Sequence, residues 1–425
     1  MSATFAPEAP VAVPRIAQRE HRPGFFQRLC RRGLIGHLGA LRTGTLRVRD
    51  GVSTLAFGES AREDAAIIQV HDYRAYTAQA VTGTLGSADA YINGWWSCED
   101  LVGLFRLLTK NAVAMSALDR GLPRWCTRIA AWAQVLRRNT IAGSRRNIRD
   151  HYDLGDDFYS LFLDETMSYS SGIFSGPEST LAEASEAKFE RICRKLELSP
   201  RDHLLEIGTG WGGFALHAAR NYGCRVTTTT ISRNQFEFAT RRMREAGLAD
   251  RVTVLCEDYR KLTGSYDKIA SIEMIEAVGH EFLDSFFGKC SGLLRPTGLM
   301  ALQAITIPDH RYDVYRRSVD FIQKYIFPGG CIPSFSAMGN SIRRATDFRV
   351  FHLEEFGGHY AETLARWRVR FWDKVDQVRS LGFDDRFIRM WHYYLCYCEA
   401  GFRDNQIGVS QIVLAKPECQ RAAIL

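Results

Sequence analysis

The stretch LLEIGTGWGG (residues 204–213) joins an apolar run to a cluster of glycines near the middle of the chain. Leu204, Leu205 and Ile207 have the character of a buried strand. Gly208, Gly210 and Gly213 then match G-x-G-x-x-G, in which glycines let the backbone turn sharply and bring a ligand against the start of the next helix. Nicotinamide, flavin and S-adenosylmethionine (SAM) folds share this motif, so its neighbours must choose between them. Glu206 lies just ahead of the first glycine. A carboxylate there repels a pyrophosphate but suits SAM, whose sulfonium and ammonium groups are both cationic. A dinucleotide site also wants Asp or Glu about 20 residues on, to hold the ribose. The chain has TTTTISRNQ (227–235) instead, whose hydroxyls and amide bind ribose less strongly. The third strand ends in Glu257, Asp258 and Tyr259, an acceptor and a ring for adenine. These features favour SAM over a dinucleotide, and a purely structural glycine turn is the remaining reading.

Outward from this loop the pattern alternates. Strand HLLEIG leads to helix FALHAARNYG, and strand RVTTTTIS to helix NQFEFATRRMREAG. Strands RVTVLCED and DKIASIEM follow, then helix EFLDSFFGKCSGLL, which should end at Arg295-Pro296, and strand LMALQAITI. Short β-rich runs separated by helices predict a parallel sheet with right-handed crossovers. The alternation breaks at about 308. A mostly helical insert, about 309–383, carries Tyr312, Tyr315, Phe321, Tyr325 and Phe327. Helix FIRMWHYYLCYCEAGF and a final strand, GVSQIVLAKP, complete the sheet. Inserts at this place often cover the sheet edge where ligands bind.

The N-terminal part is different. Residues 1–25 read as a loose Ala/Pro tail with no secretory-signal pattern. Residues 26–120 mix strand and helix patterns, including LRVRDG and a helix, SCEDLVGLFRLLTKN, capped by Ser97; they predict a small α/β accessory domain. Residues 121–150 predict a basic amphipathic linker helix. There Trp125, Ile129, Trp132 and Leu136 share one face, flanked by Arg124, Arg128, Arg137 and Arg138. That helix either packs on its own protein or dips its tryptophans into a bilayer.

With 425 residues, of which 46% are hydrophobic and 24% charged, the chain is ordinary for a folded protein of two or three domains. No apolar run approaches the roughly 20 residues of a membrane span. The eleven cysteines show no metal-type pairing, and reduced thiols in a cytosolic setting are expected. The formal charge of +7 is uneven. Residues 1–49 hold nine Arg against two Glu, and residues 121–149 hold seven Arg and no acid. Such stretches suit an anionic surface, either nucleic acid or acidic phospholipid.

The motifs NIRDHYDLGDDFYSLFLDETMSYSS, LLEIGTGWGGFALHAA, TTTTISRNQ, DYRKLTGSYDKIASIEMIEAVG, YIFPGGCIPS, FGGHYAETLARW and YYLCYCEAGFRDNQI resemble, in this order, the cyclopropane-fatty-acyl-phospholipid synthase family. The resemblance covers residues 146–417. It implies a Rossmann-like class I SAM-methyltransferase sheet over 151–425, with the insert covering substrate. The first 120 residues are similar to the accessory domain of the phospholipid-modifying members.

The implied reaction is methyl transfer from SAM to a cis double bond of an unsaturated phospholipid acyl chain. Because the alkene is a poor nucleophile, binding must align it with the sulfonium methyl. The resulting carbocation is sheltered by aromatic faces and a buried carboxylate. Loss of a proton then closes a cyclopropane ring, and the family resemblance implies bound bicarbonate as the base. Glu276 should orient bicarbonate, Tyr360 should donate its hydroxyl to it, and Ile305 its backbone N–H. Ser171 and Gln303 depart from the family's usual Cys and His, so altered basicity is expected. For SAM, Gly208, Gly210 and Gly212 belong to the loop, Glu206 to the cationic end, and Tyr169 and Ser170 close over the carboxylate. Thr230 and Gln235 address the ribose, while Asp258 and Tyr259 flank the adenine. Cys398 matches a cysteine sometimes regarded as a nucleophile, though its neighbours also fit a core position. His151 and Tyr152 either gate the site or cap the next helix. No metal is implied. Expected partners are phospholipid at an anionic inner membrane surface, reached from the cytoplasm, and a second copy in a homodimer. Rival readings are a methyl-branched or methylene acyl product and a binding protein without turnover. Nucleic-acid methylation lacks its Asn/Asp-Pro-Pro-Tyr/Phe signature here.

Overall fold

A computed structural model describes residues 23–51, 53–58, 65–112 and 154–422 of the chain. Most of the tail, the whole of the expected linker helix, His151 and Tyr152 lie outside the described residues.

The accessory part is built on a four-stranded sheet of β1 (Thr45–Arg49), β2 (Thr54–Gly58), β3 (Ala66–Val70) and β4 (Trp96–Cys98), in the order β2-β1-β3-β4. Helices Phe25–Leu38, Arg74–Thr82, Thr84–Ile92 and Leu101–Lys110 accompany it. The last of these begins later than expected. Asp100, not Ser97, caps it, accepting from the Gly103 N–H at 2.7 Å, because a carboxylate one residue before the first turn reaches the orphan amides that Ser97 cannot.

The main sheet comprises β5 (His203–Ile207), β6 (Arg225–Thr230), β7 (Val252–Cys256), β8 (Tyr266–Ile272), β9 (Leu294–Thr306), β10 (Arg349–Glu355) and β11 (Gly408–Ala415). Its order is β10-β11-β9-β8-β5-β6-β7. The strands β5 to β9 are parallel, as the alternation predicts, and β11 runs antiparallel between β9 and β10. Leu204, Leu205 and Ile207 of β5 are buried in the centre. Helix Leu283–Leu293 stops before Arg295-Pro296, which lies inside β9. The helix thus ends beside the proline as expected, but β9 begins ahead of it, with Leu294 already paired with Tyr266 of β8.

The segment 309–383 differs from expectation. Only its first part is a helical cover: helices Asp309–Tyr315 and Phe335–Ala345, with a π-helical turn at Ile322–Ile326. Its second part returns to the sheet as β10 and continues into helix Gly357–Asp373, which packs on helix Asp385–Arg403. The cover also grips the accessory part, where Lys324 and the Tyr325 hydroxyl both bond to Asp89.

Candidate active site

At the ends of β5 and β8, which are neighbours in the sheet, a cavity of about 1040 Å³ opens. One part of its wall is the glycine loop with Glu206, Thr230, Gln235, Asp258 and Tyr259. Another part is apolar and comes from the accessory domain: Leu34, Leu38, Leu46, Phe105 and Leu108. Glu273, Glu276, Ile305, Tyr360, Tyr394 and Cys398 also face it.

The loop is shaped by two glycines. Gly208 has φ of +103°, and a Cβ there would stand 3.1 Å from Met274 Cβ. Gly210 has φ of +51°, and a Cβ there would meet no protein atom within 4 Å, so that space is left to a ligand. Gly212 does not line the cavity. Its missing Cβ admits Met243 and Ala239 of helix Arg233–Glu245, which makes it a packing glycine.

Glu206 is buried and accepts from the Thr228 hydroxyl at 2.6 Å. Burial pushes its pKa up to about 8, against the pull of Thr228 and of the Lys188 charge. A carboxylate so placed fits a cationic ligand. Lys188 is itself buried on the inward face of helix Leu181–Leu196 and donates to Ser168 and, at 2.7 Å, to Ser170. Burial pulls its pKa down to about 8, opposed by Glu273, Asp164 and Glu206. Nothing in the sequence reading marked Lys188, although a cation among the buried positions Leu181, Ala184 and Ile192 was the available signal.

The other residues expected to address SAM are held by protein partners. Thr230 donates to Gln235 Oε1 at 2.8 Å, and the Tyr169 and Tyr394 hydroxyls are 2.9 Å apart. Asp258 is clamped by Arg260 at 2.8 and 2.6 Å, so its carboxylate meets a ligand already charge-balanced.

Two acids dominate the other half of the site. Glu276 Oε1 accepts from the Ile305 N–H at 2.5 Å, while its buried Oε2 has no hydrogen-bond partner. Glu273, just beyond β8, has φ of +48°. Its Oε1 accepts from the Ser171 N–H at 2.9 Å and the Gln303 amide at 2.7 Å, and the Tyr360 hydroxyl lies close enough to favour the carboxylate form. Gln411 donates to Gln303 Oε1 at 3.0 Å, which turns the Gln303 NH2 toward Glu273. Burial raises both acids, and the Glu273 charge raises Glu276 further, to about 8. The donors around Glu273 favour its carboxylate form over that of Glu276, which has one donor and an unpartnered oxygen.

Residues 140–412 match the family model described as mycolic acid cyclopropane synthetase. The chain belongs to the mycolic acid cyclopropane synthetase family. It is 39% identical to the tuberculostearic acid methyltransferase UfaA1 of Mycobacterium tuberculosis, over 79% of each chain. It is 35% identical to the cyclopropane-fatty-acyl-phospholipid synthase of Escherichia coli, over 79% of this chain and 84% of that one. The solved cyclopropane synthase MmaA2 from M. tuberculosis superposes with a TM-score of 0.60 at 30% identity, over 64% of this chain and 98% of that one. Mycolic acid cyclopropane synthase CmaA1, solved with S-adenosylhomocysteine (SAH), superposes equally well at 32% identity, over 64% and 98%. The protein is therefore a SAM-dependent methyltransferase with the class I fold.

Against the family pattern, several expected roles change. Ser171 and Gln303 are buried behind Glu273 and do not face the cavity. Three of the donors expected to hold bicarbonate are engaged: Ser171 and Gln303 on Glu273, Ile305 on Glu276. A bicarbonate ion would have to replace a carboxylate or sit against one, so the site does not fit that group. Cys398 faces the cavity, but burial pushes its thiol well up, which disfavours the thiolate a nucleophile needs. Of the five cover aromatics, Tyr315 and Phe327 line the cavity. Tyr312 bonds to His280, Phe321 packs on Tyr393, and Tyr325 reaches Asp89. Sequence reasoning missed Glu273; the signal was a second acid beside Glu276 on the same apolar segment.

Proposed function

We propose that this protein methylates the cis double bond of unsaturated phospholipid acyl chains and closes a cyclopropane ring. The observation that carries this reading is the single cavity that joins the SAM loop to apolar side chains of the accessory domain. Its volume suits a long apolar ligand lying beside the nucleoside.

When bound, SAM supplies an electrophilic methyl group. Gly208 and Gly210 make room for it, and Glu206 attracts its cationic end. Tyr360, Tyr394 and Phe402 turn aromatic groups to the cavity, where their faces stabilise positive charge on the chain. Tyr360 stacks on Phe402 with centroids 4.4 Å apart, which fixes both rings. Ring closure needs a base, and no step is assigned to bicarbonate.

The accessory helix Phe25–Leu38 supports a membrane surface as the source of the chain. Phe25 is 84% exposed, with Phe26 and Leu29 also exposed, beside Arg28 and Arg32. Leu34 and Leu38 of the same helix line the cavity. An apolar, arginine-flanked helix of this kind docks on anionic lipid and leads an acyl chain inward. No described helix is long and apolar enough to cross a membrane.

The test is incubation with SAM and vesicles of cis-unsaturated phospholipid, followed by mass spectrometry and proton NMR of the acyl chains. A gain of one CH2 with upfield ring protons is expected. The same gain with a vinylic methylene signal would replace the ring product by the methylene one, a rival that the UfaA1 likeness keeps in play. No gain with any alkene would overturn the proposal.

A further inference from the structure

We infer that Glu273 is the base of the reaction, a carboxylate of the chain itself standing where a bound anion was expected. This inference rests on the proposed alkene methylation and names the group that ends it.

Three observations converge. The Ser171 N–H and the Gln303 amide both donate to one carboxylate oxygen, and the Tyr360 hydroxyl faces the same cavity. These donors favour the carboxylate form, while burial raises its pKa and so its basicity. Glu273 faces the cavity, while Ser171 and Gln303 stand behind it and cannot reach substrate. Finally, the acid sits at φ of +48°, a conformation a bulky residue rarely adopts and glycine takes freely. The chain accepts that strain to aim an acid at this place. Lys188, whose charge acts on Glu273, also favours the ionised form.

In the step, Glu273 takes a proton from the methyl group newly attached to the chain. The electron pair of that C–H bond forms the third ring bond to the neighbouring cationic carbon. The protonated carboxyl returns its proton to solvent as product leaves. No oxidant, reductant or further reactant is needed. If a hydride shifts first, the same proton transfer yields the exocyclic methylene.

The experiment compares wild type, Glu273→Gln and Glu273→Gly in CO2-free buffer and in buffer with added bicarbonate, with SAM and oleoyl phospholipid vesicles. Wild type should turn over equally in both buffers. Glu273→Gln keeps the size of the side chain but cannot take the proton, so kcat should fall by about a hundredfold or more with SAM affinity retained. Glu273→Gly relaxes the backbone and frees the donors; it should bind carbon-13-labelled bicarbonate by NMR, as wild type does not, and regain turnover when bicarbonate is added. A wild-type rate that collapses without bicarbonate, or a Glu273→Gln variant near the wild-type rate, overturns the inference and leaves the proposed function standing. A wild-type enzyme with no product in either buffer overturns the function itself.

Discussion

The Tyr91 hydroxyl lies 3.0 Å from His392 Nδ1, deep in the contact between the accessory domain and the long helix Asp385–Arg403. His392 is buried, and burial, with the charges of Arg368 and Arg389 behind it, drops its pKa to about 3. An unfolded imidazole titrates near 6.5. Between those values the unfolded chain binds a proton that the folded one refuses. The group's contribution is therefore complete above about pH 6.5 and is lost as pH falls toward 3, at about 2 kcal/mol by pH 5. Urea unfolding at about pH 7.5 and pH 5 checks this. His392→Gln should flatten that part of the dependence, and an unchanged slope would refute it.

Arg389 locks the same contact. It is almost wholly buried, donates to the carbonyls of Tyr91 at 2.6 Å and Trp96 at 2.7 Å, and lies 4.2 Å over the Tyr91 ring. Arg389→Met keeps the apolar stem but leaves both carbonyls without this donor, at a cost of about 2–4 kcal/mol. Urea midpoints measure the loss, and protease cleavage in the accessory domain should quicken. A change under about 0.5 kcal/mol would mean the carbonyls find other partners.

How much of this was legible in the sequence depends on how strongly each part repeats. Strands β5 to β9 announce themselves, since a parallel sheet buried on both faces needs continuous apolar runs. The edge strand β10 does not. Val350 and Leu353 are exposed and the charges of Arg349, Glu354 and Glu355 flank them, so RVFHLEE lacks the run that marks a buried strand. Proline at 296 marked the helix end, a local signal, but not the early start of β9, which rests on pairing with the distant β8. In the site, Glu276 was legible as an acid on an apolar segment. Glu273 was not, because only the folded chain brings Ser171 and Gln303, distant in sequence, onto its carboxylate.

Gly208 and Gly212 should part on substitution. Gly208→Ala must hold a methyl group at φ of +103° and 3.1 Å from Met274 Cβ, and the loop relieves both by moving out of the ligand's place. Strain of about 1–3 kcal/mol corresponds to SAM affinity weaker by roughly tenfold to a hundredfold. Gly212→Ala instead strikes Met243 and Ala239, so it should lower stability more than affinity. Calorimetric titration with SAM, beside thermal unfolding, separates the two. Equal affinity in Gly208→Ala and wild type would refute the assignment of this loop.

SAM binding should expel a proton. Burial holds the Glu206 carboxyl up to about 8, so near pH 7 most of it is protonated. A ligand ammonium beside it favours the carboxylate and drives the proton off. Lys188, lowered to about 8, faces the same charge and shifts in the same direction, toward proton loss. Affinity should then rise with pH from about 6 to 8, by no more than tenfold per unit for each proton released. Calorimetry at about pH 7 in buffers of different ionisation enthalpy reads the release directly. Glu206→Gln should bind more weakly and show less buffer dependence. A wild-type binding enthalpy that is the same in every buffer would mean that Glu206 is already ionised before the ligand arrives, and that burial does not control it.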